Sequence, residues 1–120
     1  FQPDWNVNAL AQKAGICMLN NSEYLLRSRK TVFSSKQYLK KALTDLGLEF
    51  VSSDANFILI KVNNASSWRS LLLKKGIVVR DCTSFGLPNH IRVGIRIFKE
   101  CKILVKAINE ILQFSLTKYS

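Results

Sequence analysis

The sequence has few of the residues and patterns that mark several large classes of protein. Its 120 residues include only two prolines, five glycines, three cysteines and one histidine. So little proline and glycine excludes a collagen-like chain or a low-complexity linker. An apolar fraction of 48% argues against intrinsic disorder, because such a chain can bury enough surface to offset its ordering entropy.

Long hydrophobic runs are also missing. The longest, such as Phe-Ile-Leu-Ile at residues 57–60, extend over only a few residues, whereas a membrane-spanning helix needs about 20. We therefore expect no membrane partner. The chain opens with Phe-Gln-Pro-Asp, with neither a methionine nor a recognisable secretory leader. We expect it to be a fragment or a processed product, one domain in length.

The cysteines and the histidine do not form a metal-binding pattern. Cys17, Cys82 and Cys101 are an odd number, no two of them form a Cys-x-x-Cys pair, and His90 is not spaced to join them. A structural zinc site needs four nitrogen or sulfur ligands, so we expect no bound metal. We interpret the cysteines as reduced thiols of a cytoplasmic protein and His90 as a structural or surface residue.

Acidic residues are scarce, since 18 lysines and arginines outnumber eight aspartates and glutamates and give a net charge of +10. Six of the basic residues cluster in one predicted helix: Arg27, Arg29, Lys30, Lys36, Lys40 and Lys41. Charge alone is not specific for nucleic acid, and no nucleic-acid-binding motif accompanies it. We interpret the cluster as a solvated helix face and expect no nucleic-acid partner. A basic α/β binding module without catalysis is the alternative from another functional class.

Hydrophobic periodicity predicts the element order α, α, β, β, α, β, β, α. Helices are expected at residues 5–19, 22–46 and 67–75 and from residue 98 onward, and strands at residues 48–51, 57–62, 77–80 and 91–97. This order indicates an α/β (α+β) domain with a mixed sheet of three to four strands, covered mainly on one face by helices.

No self-contained catalytic pattern is present: the acids are scattered, and there is neither a G-x-S-x-G elbow nor a glycine-rich phosphate loop. Two arginines on neighbouring predicted strands are the candidate site residues. Arg80 ends one strand, and Arg92 shares a face of the next with Gly94 and Arg96 because strand side chains alternate. Two guanidinium groups there could bind carboxylate or phosphate oxygens bidentately. Alternatively, Arg80 pairs with Asp81 or another acid, and Arg92 is an ordinary exposed residue.

Several segments occur in the order found in one enzyme family. They are Trp-Asn-Val-Asn-Ala-Leu-Ala at 5–11, Ala-Asn-Phe-Ile-Leu at 55–59, Gly-Ile-Val-Val-Arg-Asp-Cys at 76–82, Ser-Phe-Gly-Leu-Pro at 84–88 and Ile-Arg-Val-Gly-Ile-Arg at 91–96. The set resembles the C-terminal small domain of fold-type I aminotransferases, which depend on pyridoxal 5′-phosphate (PLP). Within that family it is most similar to the branch of histidinol-phosphate aminotransferase and threonine-phosphate decarboxylase.

The resemblance implies a partial enzyme. Residues 1–20 would be a linker helix after an absent large PLP domain, and residues 21–120 the small domain. The family's cofactor lysine lies in a Ser-x-x-Lys-x-x-Gly context that nothing here matches, and Ser34-Ser35-Lys36 lacks the glycine. We therefore expect PLP in the full-length enzyme and none bound by this chain alone, which carries no catalytic residue.

The same resemblance suggests roles for the arginines. Arg92 matches the family's carboxylate-anchoring arginine and Arg80 the second arginine of the phosphorylated-substrate branch, although which anion each takes stays open. The phrase at residues 80–88 favours L-threonine O-3-phosphate decarboxylase of cobalamin biosynthesis; histidinol-phosphate or another class I/II aminotransferase is the alternative. The implied partners are a phosphorylated amino acid, the missing large domain and a second subunit in a homodimer.

Overall fold

The structure is a computed structural model that describes residues 7–117, with side chains through residue 114. The helices are α1 (Ala9–Leu19), α2 (Ser22–Asp45), α3 (Ala65–Lys74) and α4 (Phe98–Thr117), and the strands are β1 (Phe50–Ser52), β2 (Phe57–Lys61), β3 (Arg80–Asp81) and β4 (His90–Gly94). The order along the chain is the predicted one. No helix within this part of the chain is both long and apolar enough to cross a membrane.

The chain divides between Thr31 and Val32 into two compact units. In the first unit, α1 begins at Ala9, and the predicted start near residue 5 lies outside the described residues. The side chain of Asn8 caps this helix by accepting a hydrogen bond from the Ala11 amide at 2.8 Å. The first turn of α2 is capped by Asn21, whose side chain accepts a hydrogen bond from the Tyr24 amide at 3.0 Å.

The second unit contains one four-stranded sheet in the order β1-β2-β4-β3. All three pairings are antiparallel, so the sheet is not mixed as the sequence analysis expected. The reason lies in the connection through α3. It joins β2 to β3, which run in the same direction, but β4 lies between these two strands and pairs antiparallel with both.

Helices cover one face of this sheet, as predicted. The buried strand residues are Ile58 and Ile60 of β2 and Ile91 and Val93 of β4. They share a core with helical side chains, among them Leu39, Leu43, Trp68, Leu72, Leu104 and Ile108. The alternating strand positions form the opposite face, which no element covers among the described residues of the second unit.

All four strands are shorter than expected, β3 and β4 the most. Residues 77–79 lie outside the ladder, so the predicted strand at 77–80 is reduced to Arg80 and Asp81, and β4 ends at Gly94. The cause is the sharp end of α3, where the Ile77 amide donates to the Leu72 carbonyl at 2.9 Å. The chain leaves this turn away from β4 and meets it only at Arg80.

Candidate functional site

The sheet brings the two predicted site residues together. Arg80 of β3 and Arg92 of β4 are direct partners in the register, and both side chains are exposed on the open face. The same register places Leu59 and then Val51 beyond Arg92, so one row across the sheet is half apolar and half cationic. Like charges at directly opposed positions are destabilising, which makes this pair an unusual surface feature.

Neither arginine is neutralised by an acid in the described part of the chain. The ion pairs found there are Lys61–Glu49, Lys75–Glu110 and Arg96–Glu100. The alternative pairing of Arg80 with Asp81 is not observed, because Asp81 accepts hydrogen bonds from the Ser66 hydroxyl and from Thr83. Two guanidinium groups are therefore available to an anion on the open face.

Each guanidinium contacts an aromatic ring, which the sequence analysis missed. The Arg92 Cζ lies 5.2 Å from the centroid of the Phe57 ring, and the Arg80 Cζ lies 5.3 Å from that of Phe85. The Ser84 hydroxyl also lies 3.5 Å from Arg80 Nη2, at the long limit of a hydrogen bond. The alternation of side chains along β2 places Phe57 on the sheet face away from the buried Ile58, so this face could be predicted from the sequence. The contact between Phe57 and Arg92 depends on the register between β2 and β4, which the sequence does not show.

Asp81 anchors the turn that carries Ser84 and Phe85. Its carboxylate accepts from the Thr83 amide at 2.8 Å, from the Thr83 hydroxyl and from Ser66 at the start of α3. These hydrogen bonds, that of Ser66 first, lower the pKa of Asp81 from 3.8 to about 2. The turn of residues 83–85 is thereby tied to both β3 and α3 beside Arg80.

Arg96 does not belong to the pair. It was expected to share a strand face with Arg92 and Gly94, but β4 ends at Gly94. Arg96 Nε instead donates to the carboxylate of Glu100, four residues later in the chain, at 2.7 Å. Glu100 raises the pKa of Arg96 through this hydrogen bond and its charge. Both residues line a cleft of about 550 Å³ between residues 76–79 and the start of α4.

The remaining candidate groups do not form a second site. Within residues 7–114 no three His, Cys, Asp or Glu side chains are grouped so as to hold a metal ion. His90 lies half-buried on β4, and its Nδ1 has no partner among the described residues. Burial raises the pKa of the Cys101 thiol, which keeps it protonated and unreactive.

The basic cluster predicted on α2 includes one structural residue. Lys36 is half-buried, and its amine donates to the main-chain carbonyls of Ser53 and Ala55. It holds the turn between β1 and β2 against the helix. This lysine is therefore committed to a contact within the fold and is not free to contact a phosphate backbone.

No lysine of the sequence lies in the Ser-x-x-Lys-x-x-Gly context that holds PLP in the family, and two of the lysines are engaged within the fold. The Lys36 amine is held by the carbonyls of Ser53 and Ala55, and Lys61, at the end of β2, is ion-paired with Glu49 at 2.8 Å. Lys36 is thereby committed to the fold, whereas the Lys61–Glu49 pair lies exposed to solvent. The groups that the arginine pair offers are hydrogen-bond donors that can bind and orient an anion.

Comparisons with known proteins identify similar chains. The chain is 38% identical over 109 residues to a histidinol-phosphate aminotransferase from Symbiobacterium thermophilum, a match that covers 90% of this chain and 30% of the relative. It resembles the crystal structure of the histidinol-phosphate aminotransferase from Clostridium acetobutylicum, with a TM-score of 0.79 and 28% identity over 92% of this chain and 35% of that one. A decarboxylase from Sulfurospirillum multivorans is similar with a TM-score of 0.73 and 27% identity, over 90% of this chain and 33% of that one.

The extent of the matches shows the family and how much of each relative this chain covers. The chain spans about 30% of the length of the curated relatives it matches. The model of the family "Aminotransferase class I and II" matches residues 1–108. This chain therefore belongs to the class I and II aminotransferase family.

Proposed function

We propose that this chain is the C-terminal substrate-binding domain of a PLP-dependent aminotransferase that acts on a phosphorylated amino compound. Residues 1–20 would form the linker helix and residues 21–120 the small domain. The observation that carries the proposal is the pair Arg80 and Arg92, directly opposed on an open sheet face without a neutralising acid. The relatives named histidinol-phosphate aminotransferase support the reaction class.

We assign one anion to each arginine. Arg92 lies on β4 between two strands, in a row with Leu59, and would anchor a carboxylate. Arg80 lies on the edge strand with the Ser84 hydroxyl beside it. A guanidinium and a hydroxyl together offer several donors to the oxygens of a phosphate group, so Arg80 would take the phosphate.

Histidinol phosphate fits this division because transamination has two substrates. Histidinol phosphate carries a phosphate and no carboxylate, so it would engage Arg80. The amino acid or keto acid that exchanges the amino group with it carries the carboxylate for Arg92. The two arginines would then act mainly in different halves of the reaction, which kinetics can separate.

A decarboxylase of threonine phosphate is the second candidate. Residues 80–88 favour this activity, and the similarity to a solved decarboxylase supports it as the alternative. Threonine phosphate carries both anions in one molecule, so it would engage Arg80 and Arg92 together. The curated relatives favour the aminotransferase.

The complete protein would contain more than this chain. PLP would be held by a large domain that lies outside this chain, and the enzyme would be a homodimer. The three free cysteines of this chain support a reducing compartment such as the cytoplasm for the enzyme.

The test is a substrate panel with the full-length enzyme. Purified enzyme is given histidinol phosphate with a keto acid, or threonine phosphate alone, and both amino transfer and CO₂ release are measured. The proposal expects amino transfer from histidinol phosphate and no CO₂ from threonine phosphate. Release of CO₂ without amino transfer would establish the decarboxylase instead, and neither activity would refute both.

A further inference from the structure

Two rings flank the arginine pair from opposite ends. Phe57 lies on β2, where its register partner is Gly94 at the C-terminal end of β4. Phe85 lies in the turn that leads from β3 into the N-terminal end of β4. Arg92 contacts the first ring and Arg80 the second, at 5.2 and 5.3 Å between the guanidinium carbon and the ring centroid.

We propose that Phe57 and Phe85 are positioning residues that hold Arg92 and Arg80 apart, so that the two guanidinium groups serve two separate anions. This inference rests on the proposed function and deepens it. The aromatic face attracts a cation within about 6 Å of its centroid, and both distances lie within that range. Each ring draws its arginine toward a different end of β4.

Without the rings, the long contact between Arg80 and the Ser84 hydroxyl would be the one described side-chain contact left to either arginine. Both arginines are exposed, neither has an acidic partner, and an arginine side chain has many rotamers. Their mutual repulsion alone would separate the charges but would not define their directions. A ring at a fixed place on the backbone does define a direction, and this preorganises the guanidinium before the anion arrives.

The backbone that carries the Phe85 ring is held by the fold. The Asp81 carboxylate accepts hydrogen bonds from Thr83, which begins the turn, and from Ser66 on α3. The Phe85 amide donates to the Cys82 carbonyl at 2.9 Å. Phe57 is held as the first residue of β2, opposite Gly94. Both rings are therefore attached to backbone that the fold holds in place, although the Phe85 side chain is 60% exposed.

The separation has a consequence for specificity. Removing the Phe85 ring loosens Arg80 and should affect the phosphorylated substrate. Removing the Phe57 ring loosens Arg92 and should affect the carboxylate-bearing substrate. An exposed cation–ring contact corresponds to a change of about two- to fivefold in each case.

The first experiment detects the contacts in the 120-residue chain itself. Proton NMR of the arginine side chains should show upfield shifts at Arg80 and Arg92 from the ring currents. Phe85→Leu should remove the shift at Arg80 only, and Phe57→Leu that at Arg92 only. Phe33→Leu, on an exposed ring of α2, is the matched control and should change neither. Absence of both shifts in the native chain would overturn the proposal.

The second experiment measures kcat/KM of the full-length enzyme for the phosphorylated and the carboxylate-bearing substrate separately. We expect Phe85→Leu to lower the first and Phe57→Leu the second, each about two- to fivefold, with rescue by Phe→Tyr at the same position. Equal losses on both substrates, or losses no larger than for Phe33→Leu, would overturn the positioning role. If Arg80→Lys and Arg92→Lys also have no effect, the proposed function fails as well, so the two failures are distinguishable.

Discussion

The Asp81 carboxylate, on the helical side of the sheet, supports the exposed Arg80 that precedes it in the sequence. Arg80 points to the open face, and Asp81 points to the helical face, where Ser66 and Thr83 donate to it. The alternation of a strand forbids these neighbours from pairing with each other. Arg80 thus stays available, while the loop that follows is anchored.

This arrangement makes the stability of the fold depend on pH. The pKa of Asp81 is about 2 in the folded chain, against 3.8 for an unperturbed carboxyl. Its ionised form therefore stabilises the fold fully above about pH 4, and this contribution is lost as the pH falls toward 2. We expect Asp81→Asn to unfold at lower urea concentration than the native chain at pH 6, and the difference to shrink at pH 2.5.

A difference between the two unfolding midpoints that stays constant from pH 6 to pH 2.5 would contradict this role of Asp81. Asp45→Asn removes one negative charge elsewhere in the chain and controls for net charge.

Sequence reasoning identified Arg80 and Arg92 but not their ring partners. The alternation of β4 was enough to place Arg92 on a face away from Ile91 and Val93. Phe57 and Phe85 depend on the β2–β4 register and on the turn after β3. Both are set by long-range pairing and hydrogen bonds that no local pattern in the sequence encodes.

Helix α3 determines where the edge strand begins. It ends at Lys74, shortly before Gly76, whose φ of +75° is a conformation that other residues adopt at a cost. The chain then passes through Ile77–Val79 without pairing, and Val78 is 80% exposed. The apolar run at 77–79 is typical of a strand, but the direction of the chain after the glycine overrides this preference.

The start of α3 depends on a side-chain cap. Asn64 Oδ1 accepts a hydrogen bond from the Ser67 amide at 2.8 Å. We expect Asn64→Ala to lower the free energy of unfolding by about 1 kcal/mol, because the amide loses its partner. Asn64→Asp keeps an acceptor at the same place and should restore most of it. Chemical denaturation of the three proteins measures this, and equal stability of all three would contradict the cap.

The cap also explains an error in the predicted helix boundary. The expected start was near Ser67, but the helix begins at Ala65, with Asn64 as the cap. Asparagine and serine both occur at helix starts, so the run Asn63-Asn64-Ala65-Ser66 offers several possible caps. The choice is made by burial, since Ala65 and Trp68 are buried in the core.

Two neighbouring leucines of α3 differ sharply in their burial in the core between the sheet and the helices. Leu72 of α3 is fully buried, and Leu73 is 49% exposed. We expect Leu72→Ala to lower the free energy of unfolding by about 2–5 kcal/mol, since it leaves a cavity in a packed core. Leu73→Ala, the matched control, should cost less than about 1 kcal/mol. Similar losses for the two variants in urea denaturation would mean that the core is not packed as described.

The chain on its own should not carry the cofactor. No lysine of the sequence lies in the Ser-x-x-Lys-x-x-Gly context of the family, and Lys36 is held by main-chain carbonyls. We expect no stoichiometric labelling of one particular lysine after incubation with PLP, borohydride reduction and dialysis, as measured by peptide mass spectrometry. Specific labelling of a single lysine would contradict the assignment of PLP binding to another domain.

Fold and family could be predicted from the sequence because they depend on patterns that extend over the whole chain. Sequence patterns leave two reactions open, since residues 80–88 resemble the decarboxylase, whereas the curated relatives are named histidinol-phosphate aminotransferases. Under the proposed function, the arginine pair would fit the anions of either substrate, and groups of the large domain would determine which bond reacts.

The central claim is that Arg92 binds substrate and does not serve the fold. The most direct measurement is kcat/KM of the full-length enzyme with Arg92→Lys for the carboxylate-bearing substrate, alongside thermal melts. Lysine keeps the charge but loses one of two charge-assisted hydrogen bonds, worth about 1.5–3 kcal/mol. Arg96→Lys, whose guanidinium is paired with Glu100, is the control.

We predict that Arg92→Lys lowers kcat/KM by about one to two decades with a melting temperature close to that of the native enzyme, and that Arg96→Lys leaves kcat/KM nearly unchanged. An Arg92→Lys enzyme that melts early while its kcat/KM stays within about twofold of the native value would show that Arg92 is structural and would contradict the account.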